Sequence, residues 1–328
     1  MEREKHYFAS ANTGEGFICH FDSINNKSEP YFQFIIKGGS GSGKSTLMKK
    51  IAQHFLAKGE KVEYFYCSSD PQSLDAVRIV DRNISLIDGT APHITEASFP
   101  GVTSEIFDVG KFVKPSIKKY KNSILKNSQK KLECYNKAYK LLSGAKIVLD
   151  VEDSLEGTEI DNSRIIKTRN SILKNISLKK GKCHIERQLF LESFSNEGFV
   201  DVTTKNFYKK IVKFECLNGE VQFIFKSILQ KLESEKIEII KFYNFLNPNK
   251  ISALEINNIL IIPKIIEKNN KKIEKNNILI KKILNNSKNY FLEAKKWHKK
   301  IEEVYSKNMD FKELDTAVSR LIERIETM

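Results

Sequence analysis

Cysteine, arginine and long apolar runs are all scarce in this chain of 328 residues, and each scarcity excludes something. The five cysteines, Cys19, Cys67, Cys134, Cys183 and Cys216, lie far apart and form no Cys-x-x-Cys pair. That odd, scattered set argues against a disulfide framework or a cysteine-held zinc, and for a reducing, cytoplasmic setting. The six histidines are scattered as well. No apolar run approaches the ~20 residues of a membrane span. Met1–His6 shows no apolar targeting segment either, so no membrane partner is expected. Arginine is outnumbered by lysine 8 to 47. This bears on the net charge of +14, which is unevenly spread. Residues 1–110 hold 11 Lys and Arg against 14 Asp and Glu, a balance of −3, so the rest carries +17. A basic half can mark a nucleic-acid or membrane-surface patch. Arginine, however, is the preferred residue for specific phosphate recognition. Abundant Lys, Asn and Ile with few Arg is what an AT-rich gene produces. Nucleic acid is therefore the disfavoured partner.

What is present is more specific. The length suits roughly two domains at ~150 residues each, and 40% apolar residues suffice for real cores. Gly38-Gly39-Ser40-Gly41-Ser42-Gly43-Lys44-Ser45 fits the phosphate-binding P-loop pattern G-x-x-x-x-G-K-[ST]. An apolar run, Tyr31–Ile36, precedes it and reads as a buried strand. Leu47, Ile51 and Phe55 follow at helical spacing. Glycines let the backbone curl so that successive N–H groups face phosphate oxygens, and the helix N-terminus adds partial positive charge. The expected nucleotide-binding set is Gly38 through Ser45 with Thr46. Lys44 reaches the β- and γ-phosphates, and the Ser45 hydroxyl ligates Mg²⁺.

Further along, Lys61–Cys67 reads as a strand, and Ser68-Ser69-Asp70-Pro71 breaks it. A short helical turn is expected around Leu74 and Val77. A third strand, Ile84–Ile87, ends in Asp88. Strands alternating with helical segments predict an α/β fold with a parallel, doubly covered sheet. Asp88, at a strand's C-terminal edge, is the Walker B candidate for holding Mg²⁺ opposite Ser45; an ordinary Asp-Gly turn is the competing explanation. No glutamate follows Asp88, so the residue that orients water must come from elsewhere. Asp70 is the first choice, with a turn cap as its structural alternative. His93 and Glu96 come next. Arg78 and Arg82 are the arginines available as cis charge stabilisers. Phe17 invites an adenine-stacking role, although packing explains it better.

From Pro115 to about Asp150 apolar residues recur at helical spacing, and a second helix is expected over Asp161–Ile176. Together these predict a long helical hairpin over about 113–180, a surface for core packing or for a protein partner. The second half echoes the first. Phe8–Phe17 matches Phe190–Phe199 at an offset of 182, and Asn83–Ile87 matches Asn258–Ile262 at an offset of 175. The common order predicts a tandem duplication, with domains at 1–182 and 183–328. The copy lacks the chemistry. Glu215–Gln222 stands opposite the P-loop, with Val221 or Glu220 in the place of Lys44, Pro263 opposite Asp88 and Asn247 opposite Asp70.

The chain resembles a family of tandem P-loop ATPases of Gram-positive, often spore-forming, bacteria. Phe8-Ala9-Ser10-Ala11, Gly16-Phe17, Lys37-Gly38-Gly39 and Val62–Cys67 carry the resemblance. Asp70–Asp75, Leu86–His93 and Phe99-Pro100-Gly101 complete it. It is dense over about 5–110 and faint after 185. It implies ATP binding and hydrolysis but no particular substrate. That family carries a P-loop in both halves; this chain keeps one. The absence of an Asn-Lys-x-Asp guanine signature also favours ATP. The expectation is thus a Mg²⁺-dependent ATPase with one nucleotide site. A small-molecule kinase is the alternative enzyme, although no arginine-rich lid is evident. A nucleotide-gated binding module with little turnover is the third reading.

Overall fold

The computed structural model describes residues 3–91, 94–155, 161–176, 178, 183–266 and 271–328. The first half begins with strand β1 (Glu4–Tyr7) and a tight β2–β3 hairpin (Ser10–Thr13, Gly16–Cys19). Strand β4 (Phe32–Lys37) leads through the glycine loop into helix α1 (Lys44–Ala57). Strands β5 (Val62–Tyr66), β6 (Leu74–Ile79), β7 (Ile84–Asp88) and β8 (Ser104–Asp108) follow, then helices α2 (Lys121–Leu155) and α3 (Asn162–Lys174). Among the described residues the second half follows the same order without a counterpart of β8, with β9 (Ile185–Leu189), the β10–β11 hairpin (Glu192–Ser195, Gly198–Asp201) and β12 (Lys210–Cys216). It continues with α4 (Val221–Leu232), β13 (Glu238–Tyr243), β14 (Ile251–Ile256), β15 (Ile259–Ile265), α5 (Lys271–Lys307) and α6 (Phe311–Thr327).

Two main sheets result, ordered β1-β5-β6-β7-β4-β8 and β12-β15-β14-β13-β9. Both are mixed rather than parallel. β4 pairs in parallel with β7 and β8, but β5, β6 and β7 form an antiparallel meander. The expected helical turn at Leu74 and Val77 is therefore strand β6. Its six residues are all buried, so it lacks the in–out alternation that marks a half-exposed strand. Its apolar residues, Leu74, Ala76, Val77 and Ile79, mimic helical spacing. Lateral pairing on both edges wins.

The expected hairpin within 113–180 is not formed either. α2 lies antiparallel against α5 of the second half. The Ser287 hydroxyl donates to the Ala138 carbonyl at 3.1 Å, and Lys130 and Trp297 meet at 4.2 Å. The reason is the narrow stripe on α2. Cys134, Ala138, Leu142 and Ala145 are buried, and the small ones among them, Cys134, Ala138 and Ala145, leave room for Ser287 and Phe291 of α5. α3 turns away. Its Ile165 and Ile172 pack with Ile224, Phe225 and Ile228 of α4. Reciprocally, α6 places Leu314, Val318, Leu321, Ile322 and Ile325 against the α1 stripe of Leu47, Met48, Ile51 and Phe55. Each half thus lends its last helix to the other.

The remaining sheet faces meet in a shared core of Tyr7, Phe8, Phe65, Phe190, Phe242 and Phe291. Phe8 and Phe190 exchange backbone hydrogen bonds of 2.9 Å in both directions. Arg187, 2% exposed, bridges the halves by donating to both Glu63 oxygens at 2.8 and 2.7 Å. No helix among the described residues is long and apolar enough to cross a membrane.

Candidate functional site

Gly38–Gly43 curl between β4 and α1. Gly41 and Gly43 adopt φ of +79° and +93°, the left-handed region that glycine enters without steric cost. Gly43 starts α1 with no side-chain cap and no acidic residue in the first turn. The first N–H groups of any helix lack intrahelical partners. Here they and the helix dipole face an uncapped loop, which suits an anion. The Ser42 hydroxyl is buried with no hydrogen-bond partner among the described residues. These residues fit a bound polyphosphate.

Lys44 sits at the loop's mouth, 9% exposed. Its ammonium donates to the carbonyls of Gly38 at 2.6 Å and Gly39 at 3.0 Å. Asp88 comes from the neighbouring strand, in register with Ile36 of β4. One of its oxygens lies 3.5 Å from the Lys44 ammonium. The other accepts from Thr90 N–H at 2.9 Å, so Asp88 also makes the turn its Asp-Gly sequence suggested. Thr90 braces the loop by donating its hydroxyl to the Gly38 carbonyl at 3.0 Å. The Ser45 hydroxyl accepts from Leu74 N–H at 3.0 Å, tying α1 to the start of β6. Ser40 is partly exposed, and Thr46 points to solvent. Among the described residues no group of three or more His, Cys, Asp and Glu forms a ready metal cage. Ser45 and Asp88 are the groups that would hold Mg²⁺, which keeps several waters and takes few protein ligands.

The other expected residues are engaged elsewhere. Asp70 pairs with Lys295 of α5 at 3.2 Å and accepts from the Ser73 hydroxyl at 3.3 Å. Glu96 pairs with Lys37 at 2.8 Å. His93 lies outside the described residues. Arg78 donates to Glu63 and Asn83, and Arg82 holds Glu60 and the last carbonyls of α6. Both arginines are thus held by protein groups.

Sequence reasoning missed the roof of the loop, which the second half supplies. A Cβ on Gly39 would stand 2.3 Å from Cε1 of Tyr305, and one on Gly41 would stand 2.5 Å from the Glu302 carbonyl oxygen. The Ser306 hydroxyl donates to the Gly41 carbonyl at 3.1 Å. Phe311 and Leu314 of α6 cover Gly43. The glycines at 39 and 41 therefore serve close packing as well as curvature. No local pattern could have revealed partners so distant in the chain.

The corresponding place in the second half is shorter and filled. Cys216 ends β12, a turn of Asn218–Glu220 follows, and α4 starts at Val221. Glu220, 1% exposed, accepts from Leu217 N–H at 3.0 Å and from Arg164 of α3 at 2.7 Å. β12 and β15 are in register so that Phe214 faces Pro263, the same fifth rung that joins Ile36 to Asp88 in the first half. Val221 takes the first helical position that Lys44 holds in α1, the buried Glu220 stands just before it, and Pro263 sits on the rung that Asp88 occupies.

A family model described as Nephrocystin 3, N-terminal, matches residues 12–141. The matched stretch contains the glycine loop, Asp70 and Asp88. No curated protein and no solved structure matches the chain.

Proposed function

We propose that this chain is a P-loop nucleotide-binding protein built by tandem duplication. It has one ATP site in the first half, a degenerate site in the second and a Mg²⁺-dependent ATPase activity. The observation that carries the reading is the meeting of Lys44 and Asp88. A buried ammonium at the mouth of a glycine loop lies 3.5 Å from a carboxylate on the adjacent strand. In P-loop chemistry these groups cradle phosphates and metal. Repeated strand order, reciprocal exchange of α3 and α6, and paired Phe8 and Phe190 support the duplication. The Glu220–Arg164 pair supports loss of the second site, because a buried carboxylate repels phosphate.

Within this reading the Gly38–Thr46 backbone binds the β- and γ-phosphates, and Lys44 offsets their charge. Ser45 and Asp88 hold the metal, which supplies charge neutralisation when bound. A nucleotide-gated binding module with slow turnover is the second reading. The pairing of Asp70 with Lys295 and of Glu96 with Lys37 favours it, since both carboxylates are already spent on lysines. Helix pairing across the halves makes α2 and α5 the parts through which a nucleotide state would reach a protein partner.

Phosphate release at saturating Mg-ATP, with Lys44→Ala and Asp88→Asn as controls, tests the proposal. Release without an added acceptor, abolished by either change, supports the ATPase. Tight binding without release supports the module, and acceptor-dependent turnover supports a kinase. Unchanged release in Lys44→Ala overturns the site.

A further inference from the structure

An AT-rich gene raises lysine throughout a chain; it does not gather it in one place. Here the charge is gathered. Residues 118–140 and 281–300 hold 15 lysines against two glutamates, Glu133 and Glu293, a balance of +13. The whole chain carries +14, so everything else nearly cancels. The fold sets these two stretches side by side in the antiparallel α2–α5 pair.

One face of that pair is turned to the body of the protein. The Tyr139 hydroxyl donates to Asn12 at 2.8 Å, and Lys295 holds Asp70 at 3.2 Å. Two residues along a helix is about 200° around it, so Lys137 on α2 and Trp297 on α5 face the opposite way, outward. Lys126 and Lys130 share the face of Lys137 at helical spacing. The lysines and aromatic rings interleave there. The ammonium groups of Lys130 and Lys300 each lie 4.2 Å from the centre of the Trp297 ring, and that of Lys137 lies 5.6 Å from the Tyr290 ring. No described carboxylate pairs with Lys126, Lys130, Lys137 or Lys300. Glu133, the one acid on this stripe, accepts from Gln129 at 3.1 Å. A row of unneutralised cations beside half-buried aromatic rings is the arrangement that tracks a phosphate backbone and stacks unpaired bases. A membrane surface fits less well, because the stripe Lys126, Lys130, Glu133, Lys137, Lys140 offers no apolar side chain to insert. Lysine in place of arginine suits backbone contact without base readout.

We propose that the outer face of the α2–α5 pair binds single-stranded nucleic acid without sequence preference. Phosphates lie on Lys126, Lys130, Lys137 and Lys300, and a base stacks on Trp297 once the flexible lysine stems swing aside. This function is independent of the nucleotide site.

The test is fluorescence anisotropy of the full chain with labelled oligothymidylate of about 20 nucleotides, longer than a typical site of ~4–16, over a series of salt concentrations. Binding should weaken steeply with salt, with a log–log slope of about −0.7 per phosphate contacted. Changing Lys126, Lys130 and Lys137 together to Gln should shrink that slope by about 2 and weaken binding at low salt by at least about 10-fold. Changing the exposed Lys213, Lys226 and Lys231 of the second half to Gln removes the same charge elsewhere and should alter affinity by less than about twofold. Trp297→Ala should weaken binding by about 5- to 150-fold, the worth of one stacked base, with Trp297→Phe largely restoring it. Melting curves establish that each variant is folded. Equal losses in the two triple variants overturn the proposal, since net charge alone would then act. No binding at low salt overturns it too, and co-sedimentation with phosphatidylserine vesicles in place of oligonucleotide binding would give the face to a membrane. A Trp297→Ala protein that is folded and binds as wild type does overturns the stacked base.

Discussion

Gly39→Ala probes the roof of the loop with a single methyl group. Its Cβ would stand 2.3, 2.4 and 2.8 Å from three atoms of the Tyr305 ring. Ordinary contact begins near 3.4 Å, so the ring or the loop must retreat by about 1 Å. Overpacking of this kind costs about 1–3 kcal/mol. The substitution also restricts the unfolded chain, worth about 0.4–1 kcal/mol in the opposite sense where the backbone is compatible. The net expectation is a loss of about 1–2 kcal/mol from these two terms, seen as a fall of a few degrees in melting temperature. Tyr305→Ala removes the obstacle. In that background Gly39→Ala should be neutral or slightly stabilising, giving an interaction energy of about 1–3 kcal/mol in a double-mutant cycle. Thermal melting of the four proteins measures it. Strict additivity, or a Gly39→Ala protein as stable as wild type, would refute the claim that α5 of the second half rests on the loop.

Lys44→Ala should lower Mg-ATP affinity by at least about 100-fold, since more than one charge-assisted contact of ~1.5–3 kcal/mol is lost; equilibrium titration checks this. Val221→Lys should restore no nucleotide binding in the second half, because Glu220 and Arg164 still fill that turn; a second binding step in that variant would be the contrary result. Glu63→Gln should cost about 3–5 kcal/mol, as expected when one partner of a buried ion pair is removed. Burial alone would raise the Glu63 carboxyl, but Arg187 and Arg78 hold it down at about 2. Its stabilisation is therefore complete above the ordinary carboxylate range and lost as pH falls toward about 2. Acid melting of Glu63→Gln should show a shallower slope between pH 4.5 and 2 than wild type.

The strand–loop–helix around Gly38–Ser45 was legible because its signals are local: an apolar run, glycines at fixed offsets and a helical stripe. Asp88 was legible for the same reason, ending an apolar strand. β6 was not, because a strand buried on both faces loses its alternation. Nor was the partner of α2, since a stripe of small apolar residues says that something packs there without saying what. The roof at Tyr305 and Ser306 lies some 265 residues from the loop, and no periodicity links them. Lys295 was hidden by company, one lysine among 47. The roles of Arg78 and Arg82 depended on which carboxylates the sheet register brought beside them.

Calorimetric titration of Mg-ATP into the full-length chain tests the central claim most directly. The account predicts saturable binding at one site per chain, abolished by Lys44→Ala and retained when Glu220 is changed. No saturation, or two equivalent sites, would contradict it.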